Sequence, residues 1–254
     1  MVAATAAVPI QEVAVMVATA AATGVDMAAV AMVVGATGLV GREVLADLLA
    51  DKRYTQIHSV GRRPLAGSVA THRKLVQHVV DFKDLSTLAS LPAVDEVFIA
   101  LGTTIKVAGS QEAFRAVDYE AVVAAARAAR AKGATKLGVV SAMGADPRSA
   151  IFYNRVKGEM EVALAGLGFQ SVVIARPSML AGDREALNQP TRAGEGIALV
   201  VSRIFKPLIP KDYRSIAARD VAAGLVQGVQ SAQPGVTHLL SGALQGAADR
   251  RSLV

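Results

Sequence analysis

The strongest constraint on the fold of this chain is the glycine pattern GATGLVG, which begins at Gly35. Gly35, Gly38 and Gly41 lie between the apolar run AVAMVV and the helical pattern LVGREVLADLLA. In that position the first glycine allows a tight turn, the second a close approach of the backbone to a pyrophosphate, and the third close helix–strand packing. The helix N-terminus would then face the phosphates with free N–H groups. We therefore predict a dinucleotide-binding loop, and a purely structural strand–helix turn is the alternative. The other residues of this predicted loop are Thr37, Leu39 and Val40.

From Ala28 onwards, short apolar runs alternate with helical patterns. Near-continuous Val, Ile and Leu strands separated by helices are typical of a parallel sheet covered on both faces. Right-handed crossovers then give an α/β, doubly wound (Rossmann) sheet. We predict this domain over residues 28–242, with a small C-terminal substrate lid at about 181–215 and a C-terminal tail at 243–254. Strands are predicted at 28–35, 57–61, 74–82, 95–102, 136–142 and 170–178, and helices at 39–50, 114–133, 149–166, 197–205 and 217–230.

The apolar N-terminal segment, residues 1–27, is predicted to be an extension outside the fold, either disordered or a packed helix. It has neither the basic start of a secretory signal nor the Arg of a mitochondrial presequence. Its charge-free run, residues 13–25, is too short to span a bilayer, which takes about 20 residues. The chain has no Cys, which excludes disulfides and thiolate sites and fits a reducing compartment. We therefore expect a cytoplasmic protein without a membrane span.

The formal net charge of +6 comes from dispersed Lys and Arg rather than from one basic stripe. No nucleic-acid recognition motif accompanies these residues, so a nucleic-acid partner is not expected. The dispersed charge indicates a solvated surface, with attraction of an anionic cofactor as the second interpretation. The four His lack HxH or HxxxH spacing, so no metal site is predicted.

The residues after the second strand indicate which dinucleotide the loop prefers. NAD-preferring proteins place an acid about 20 residues beyond the glycines, on the ribose 2′-hydroxyl. Here no acid occurs from Thr55 to Leu75, and Arg62 and Arg63 stand at that place. Arginine suits the 2′-phosphate of NADP through charge-assisted hydrogen bonds. The alternative is an ordinary surface Arg pair. Asp81 could accept from the adenine amino group, or could instead start the following turn.

Tyr153 and Lys157, in the stretch IFYNRVKGEME, are a candidate proton-transfer pair. Residues four apart on a helix are neighbours whatever their role, so the spacing alone does not separate a catalytic pair from an ordinary helix face.

Seven motifs in this order strengthen the interpretation: GATGLVG, GRRP, ALGTT, VDYEAVV, VSAMGAD, FYNRVKGEME and ARPSMLAGDR. Together they resemble an atypical short-chain dehydrogenase/reductase. More narrowly, they resemble the Tat-interacting-protein-like family of NAD(P)-binding Rossmann-fold oxidoreductases. The resemblance covers about Ala28 to Leu240.

The resemblance implies that Ser141, Tyr153 and Lys157 are catalytic. A phenol with a pKa near 10 is a poor acid–base catalyst at neutral pH, and a neighbouring ammonium lowers that pKa. Tyr153 would exchange a proton with the substrate oxygen, Ser141 would hydrogen-bond that oxygen, and Lys157 would also reach the nicotinamide ribose. In one respect the chain departs from the family pattern. The commoner fourth member, an Asn on the fourth helix, has no clear counterpart, because Asp118 stands there.

The resemblance also implies that further backbone positions contact the cofactor. These are Ala100, Leu101, Gly102, Pro177 and Ser178, together with Tyr153 and Lys157.

The function that these residues imply is an NADPH-dependent oxidoreductase, which transfers hydride to or from a small carbonyl or alcohol substrate. A non-catalytic NADPH-binding regulatory or assembly protein is the alternative, and a nucleotide-sugar epimerase is less favoured. The oligomeric state is expected to be a monomer or a homodimer.

Overall fold

A seven-stranded sheet with the order β3-β2-β1-β4-β5-β6-β9 forms the centre of the computed structural model, which describes residues 28–181 and 211–251. All neighbouring strands of this sheet are parallel. This is the doubly wound arrangement that the alternating sequence predicts, so the predicted fold class is confirmed. The strands are β1 (Ala29–Val34), β2 (Tyr54–Gly61), β3 (Leu75–Val79), β4 (Glu96–Ile99), β5 (Lys136–Val140), β6 (Ser171–Arg176), β7 (Leu180–Ala181), β8 (Ile216–Ala217) and β9 (Gly235–Leu240).

Helices cover both faces of the sheet in the described part of the chain. The helix that begins at Gln111 runs without a break to Ala131, but its central six residues form a π turn between two α segments. The helical elements are α1 (Leu39–Ala50), α2 (Ile105–Ala108), α3 (Gln111–Arg115), the π turn (Ala116–Ala121), α4 (Val122–Ala131), α5 (Phe152–Ala165), α6 (Ala218–Gln230), α7 (Ser241–Leu244) and α8 (Ala247–Arg251).

The central strand β1 is apolar at every position because both of its faces pack into the core. Ala31 and Val33 pack into the core beneath α1 and α6, whereas Met32 and Val34 pack into the core beneath α4 and α5. All four side chains are buried. Since alternate residues of a strand point to opposite faces, burial on both faces requires a continuous apolar run.

β1 is also the strand at which the chain reverses its direction across the sheet. It pairs with β2 on one side and with β4 on the other. In open α/β sheets the crevice at the carboxyl ends of two such strands is where ligands bind. The segments that leave β1 and β4, which begin at Gly35 and Ala100, therefore border the expected site.

The C-terminal part of the structure differs from the sequence predictions in two ways. A seventh parallel strand, β9, pairs with β6, although no strand is predicted there from the sequence. The segment predicted as a tail, 243–254, contains α8, in which Ala247 is fully buried. Arg251 of this helix forms ion pairs with Asp47 in α1 and with Asp51, the residue that follows α1. Small residues and arginines, which the sequence alone does not distinguish from a tail, are also what a short helix needs in order to pack closely and pair with acids.

The predicted lid falls only partly within the described residues. Its two ends lie side by side, because β7 and β8 pair in parallel, with Leu180 opposite Ile216. The predicted extension at residues 1–27, the predicted helix at 197–205 and most of the lid lie outside the described residues.

Candidate active site at the carboxyl edge

The glycine loop is built on close backbone contacts, which explain each glycine. Gly35 has a φ of 90°, a conformation that favours glycine, and a Cβ there would lie 3.0 Å from the backbone of Ala100. A Cβ at Gly41 would lie 2.1 Å from the carbonyl oxygen of Gly35. A Cβ at Gly38 would lie 3.4 Å from the same oxygen, an ordinary contact. Gly35 and Gly41 are therefore required by the loop itself, whereas a Cβ at Gly38 would make only ordinary contacts.

The N-terminus of α1 fits a phosphate. Its N-cap residue is Gly38, which has no side chain to cap the helix, and the first turn holds no acid. The first helical hydrogen bond runs from the Arg42 N–H to the Gly38 carbonyl oxygen at 3.0 Å. The N–H groups of Leu39, Val40 and Gly41 therefore precede the helical ladder, and an anion would satisfy them. Thr37 lies exposed at the tip of the turn.

The segment from Ala100 to Gly102 joins the glycine loop to the candidate catalytic helix. Ala100 extends β4 by donating its N–H to the Val34 carbonyl oxygen at 2.9 Å. Two residues later, a Cβ at Gly102 would lie 3.5 Å from Asp118 Oδ1 and 4.0 Å from Lys157 Nζ. Gly102 is exposed, and Leu101 packs partly into the core. A cofactor held by the glycine loop would therefore pass over Gly102 toward Lys157.

Lys157 forms a fully buried ion pair with Asp118. Its Nζ lies 2.8 Å from Asp118 Oδ1, and the two side chains are 4% and 1% exposed. Apart from this ion pair, Asp118 Oδ1 has no hydrogen-bond partner in the described part of the chain. Asp118 Oδ2 accepts from the Thr103 N–H at 2.9 Å, which fixes the carboxylate against the segment after β4. Burial lowers the pKa of Lys157, but the charges of Asp118, Tyr153 and Glu161 outweigh it and leave that pKa raised.

The π turn places Asp118 beneath α5. The extra residue per turn of a π segment rotates the residues that follow, and such turns recur at functional sites. Phe114, one turn before, is fully buried, and its ring centroid lies 5.3 Å from that of Tyr153. Tyr153 itself is partly exposed in the first turn of α5. The structure thus brings Tyr153, Lys157 and Asp118 together, with the tyrosine on the open side.

Ser141 lies buried at the end of β5, where its hydroxyl is held by a carboxylate. Its Oγ donates to Glu161 Oε1 at 2.5 Å. Arg176, the last residue of β6, binds both oxygens of Glu161, at 3.0 and 2.5 Å. His238 on β9 lies 3.5 Å from the same carboxylate. Glu161 is not among the residues predicted from the sequence. It lies four residues beyond Lys157 on the same helix, and this spacing is the signal by which it could have been found.

Gly158 in α5 allows the segment after Ser141 to pack directly against that helix. A Cβ at Gly158 would lie 2.2 Å from the backbone of Asp146 and Pro147. The Asp146 N–H also donates to the Asn154 carbonyl oxygen at 3.1 Å. The loop that follows β5 therefore lies directly on the helix that bears Tyr153 and Lys157.

The residues predicted to read the adenosine end lie where β2 and β3 end. Arg62 and Arg63 directly follow β2 and are exposed, and neither forms an ion pair within the described residues. Asp81 is exposed beyond β3, and its Oδ1 accepts from the Lys83 N–H at 2.9 Å. This bond stabilises the turn after β3, which agrees with the structural interpretation of Asp81 and leaves its other oxygen available.

Pro177 and Ser178 follow β6 and contact the C-terminal part of the domain. The buried Pro177 accepts from the Met143 N–H at 3.0 Å through its carbonyl oxygen. Ser178 Oγ contacts the Arg214 carbonyl oxygen and lies 3.0 Å from Ser241 Oγ. The Ser178 hydroxyl therefore ties the residues that precede β7 and β8 to α7.

The comparisons with known proteins agree with this architecture. A family model described as NAD(P)H-binding matches residues 35–231. The mitochondrial protein Fmp52 of Emericella nidulans is 38% identical over 194 residues, which are 75% of this chain and 79% of the relative. The protein HTATIP2 of Rattus norvegicus is 34% identical over 184 residues, 72% of each chain. The solved structure of the Bordetella bronchiseptica enzyme WbmF with NAD+ and UDP aligns with a TM-score of 0.63 at 21% identity, covering 88% of this chain and 76% of WbmF.

The predicted cytoplasmic location is contradicted by these relatives, because the fungal Fmp52 proteins are named mitochondrial. The prediction depended on the lack of presequence-like Arg in residues 1–27 and on the absence of Cys, which indicates a reducing compartment but does not say which one. Across residues 28–181 and 211–251, no helix combines the length and apolar character needed to cross a membrane. The same residues hold no cluster of three or more His, Asp or Glu that could bind a metal ion.

Proposed function

Because the chain belongs to the NAD(P)H-binding family that includes the Fmp52 and HTATIP2 proteins, we propose that it is an NADP(H)-dependent oxidoreductase of the short-chain dehydrogenase type. Its substrate class is a small carbonyl compound or the corresponding alcohol. The geometry of the carboxyl edge supports the finer parts of this proposal, namely the preference for NADP(H), the substrate class and the catalytic residues.

The observation that carries the proposal is the position of Gly102. On one side, its segment lies against Gly35 of the phosphate loop, and on the other a Cβ at Gly102 would lie 4.0 Å from Lys157 Nζ. A dinucleotide with its pyrophosphate at the N-terminus of α1 would thus extend past Gly102 to Tyr153 and Lys157. A purely structural glycine turn after β1 would not need an exposed glycine beside a buried lysine on another segment.

Each side chain has a chemical role in this arrangement. The bound cofactor would supply or accept hydride at the substrate carbon. Tyr153, on the open side of α5, would donate a proton to the substrate oxygen during reduction or remove it during oxidation. Lys157 would hold the ribose hydroxyls and influence the charge near the phenol. Ser141 would hydrogen-bond the substrate oxygen after its hydroxyl turns away from Glu161.

The preference for NADP(H) is supported by the two exposed arginines after β2. An acid at this place would bind the 2′-hydroxyl of NAD and repel a 2′-phosphate, whereas Arg62 and Arg63 would bind the phosphate. Titrations of the protein with NADPH and NADH, followed by cofactor fluorescence, should show tighter binding of NADPH. Equal affinities would contradict the role assigned to Arg62.

Catalysis is tested by a screen of small carbonyl and alcohol substrates. Tyr153→Phe should lower turnover of the best substrate by about 10²–10⁴-fold, because the variant lacks the proton donor. NADPH affinity should fall far less than turnover, and thermal stability should stay unchanged. Tyr119→Phe is the matched control: it removes a hydroxyl from the π turn and should keep full activity. A Tyr153→Phe variant with wild-type turnover would overturn the catalytic assignment.

The alternative of a non-catalytic NADP(H)-binding protein has one observation in its favour. The Ser141 hydroxyl donates to Glu161, so it is not free to donate to a substrate oxygen in this conformation. Tight NADPH binding without turnover of any substrate in the screen would favour this alternative.

A further inference from the structure

The carboxyl edge of the sheet exposes a group of large apolar side chains around the candidate active site. Exposed apolar residues that are scattered singly are normal on a protein surface, but these come from several segments that meet at one edge. We call this group the apolar rim. Its members are Ile105 and Val107 after β4, Ile151 at the start of α5, Met179 after β6 and Leu240 at the end of β9.

Two members of the apolar rim flank the candidate catalytic residues. Ile151 is the N-cap residue of α5 and precedes Tyr153 by two positions. Met179 follows Pro177 by two positions, and the Pro177 carbonyl oxygen accepts a backbone hydrogen bond at 3.0 Å from the segment after Ser141. A substrate whose reacting oxygen lies at Tyr153 and Ser141 would therefore have these apolar side chains beside it.

Polar side chains of the same segments are bonded within the protein. Thr104 Oγ1 caps α2 by accepting from a backbone N–H at 3.2 Å. The Ser141 hydroxyl donates to Glu161, and the Ser178 hydroxyl contacts a backbone carbonyl oxygen. Arg155 donates to another backbone carbonyl oxygen, at 2.8 Å, beside the start of α5. A substrate rich in hydroxyl groups would have to compete with these bonds, whereas a hydrocarbon chain would not.

The apolar rim also has an energetic consequence for a ligand. A hydrocarbon chain that covers it removes apolar surface of both partners from water, and the gain grows with each methylene group. A hydroxyl group carried onto the rim would instead lose hydrogen bonds to water, which costs free energy. The rim therefore selects by polarity as well as by chain length.

We propose that the substrate is an aliphatic carbonyl compound, or the corresponding alcohol, whose hydrocarbon chain packs on the apolar rim. This inference rests on the proposed function and narrows its substrate class. In the reduction, the carbonyl carbon gains hydride from NADPH, and the C=O double bond becomes a C–O single bond. The oxygen gains the Tyr153 proton, which solvent replaces, and NADPH is converted to NADP+.

The first test is the dependence on chain length, measured as kcat/KM for propanal, butanal, pentanal and hexanal with NADPH. Each added methylene group should raise kcat/KM about two- to fourfold, and fourfold corresponds to about 0.8 kcal/mol, the contribution of a fully buried methylene. Glyceraldehyde, which is propanal with added hydroxyl groups, is the matched polar control and should have a kcat/KM about tenfold below that of propanal. A flat series, or a preference for glyceraldehyde over propanal, would contradict the proposal.

The second test changes the rim itself, in the double variant Ile151→Gln with Met179→Gln. The ratio of kcat/KM for hexanal to that for propanal should fall by at least about fourfold, the contribution of one buried methylene. Val162→Gln is the matched control, because Val162 is 62% exposed like Ile151 and lies on the same helix, about 13 Å along its axis from Tyr153. Its ratio should stay at the wild-type value, and equal reductions in both variants would reject the rim as the binding surface. Met179→Gln alone serves if the double variant does not fold.

The third test needs no turnover and separates this inference from the proposed function. Butanamide and hexanamide, which are unreactive aliphatic compounds, are titrated into the protein saturated with NADP+ and followed by calorimetry. Hexanamide should bind about 4- to 16-fold more tightly, because it carries two more methylene groups. If no aldehyde is turned over but this difference is found, the proposed function fails and the apolar rim stands. Equal affinities for the two amides would reject the rim even if an aldehyde is turned over.

Discussion

The amino edge of the central sheet satisfies its buried polar groups within the protein, whereas the carboxyl edge combines a satisfied carboxylate, Glu161, with polar groups that lack a hydrogen-bond partner among the residues that the structure describes. At the amino edge, Glu96 accepts from the Tyr54 hydroxyl at 2.6 Å and from Lys136 Nζ at 3.2 Å, so both of its oxygens are used. Gln230 adds a hydrogen bond to the Tyr54 oxygen at 3.2 Å. At the carboxyl edge, Asp118 Oδ1 has only the Lys157 contact, Gly102 is exposed, and the N-terminus of α1 has no side-chain cap.

The difference shows which edge stabilises the fold and which is available to a ligand. Buried polar groups cost free energy unless they are paired, so a saturated network contributes to stability and an unsaturated one invites a ligand. Changes at the amino edge should therefore alter stability without altering cofactor affinity. At the carboxyl edge, changes at positions where a side chain would make only ordinary contacts should alter cofactor affinity more than stability.

The largest effect is expected at the amino edge, from Glu96→Ala. The substitution leaves Lys136 and Tyr54 without their acceptor and should lower the free energy of unfolding by about 3 kcal/mol. Urea denaturation followed by circular dichroism measures this loss. Glu96→Gln, which keeps an acceptor for Tyr54, should lose less. A weaker NADPH affinity in folded Glu96→Gln would break the division between the two edges.

Arg62→Ala should weaken NADPH binding by about 10–100-fold, because charge-assisted hydrogen bonds contribute about 1.5–3 kcal/mol. NADH affinity and the melting temperature should not change. Lys132→Ala is the charge-matched control, since Lys132 is exposed before β5, at the opposite edge. Equal losses of NADPH affinity in both variants would indicate a general charge effect instead of a 2′-phosphate site.

Gly38→Ala should weaken cofactor binding by about 10-fold while leaving the protein folded. Its φ of −84° suits alanine, and the new Cβ makes an ordinary 3.4 Å contact with Gly35. The methyl group would occupy the space into which a phosphate fits, and a tenfold loss corresponds to about 1.4 kcal/mol. Fluorescence titration and thermal melts measure the two quantities.

Gly41→Ala provides the contrast to Gly38→Ala in the same loop. Its Cβ would lie 2.1 Å from the Gly35 carbonyl oxygen, so this variant should lose thermal stability as well as affinity. If the melting temperature of Gly38→Ala is as low as that of Gly41→Ala, the loop itself requires both glycines. The absence of a side chain at Gly38 is then no evidence for a phosphate site.

The smallest effect is expected from Asp51→Asn at the amino edge, and it should depend on pH. Burial raises the pKa of Asp51, but hydrogen bonds and charge from Arg53 outweigh it and lower that pKa to about 2. Because the folded pKa lies below the ordinary value of about 3.9, the stabilisation is present above pH 4 and is lost as pH falls toward 2. The asparagine variant should be at most about 1 kcal/mol less stable at neutral pH. Its stability should also change less than that of the wild type between pH 4 and 2, as acid-dependent melts would show.

The features best predicted from the sequence are those that are determined by local conformation and by nearby contacts. The glycines of the first loop follow from backbone contacts within a few residues and with one neighbouring strand. The apolar strands follow from burial on two faces. By contrast, β9 was missed because its residues are mostly exposed at the edge of the sheet, so they lack the continuous apolar pattern of β1. The π turn was missed because no residue in AVDYEA distinguishes it from an ordinary helix.

The doubly wound fold and the glycine turn from Gly35 to Gly41 could be predicted from the sequence, and so could the candidate residues Tyr153 and Lys157. The pairing of Lys157 with Asp118 and of Ser141 with Glu161 appears only in the folded chain. The reason is physical. A glycine turn or a buried strand is selected by local conformation and by the period of apolar residues. The charge state of a site depends on partners that folding brings together from distant parts of the chain.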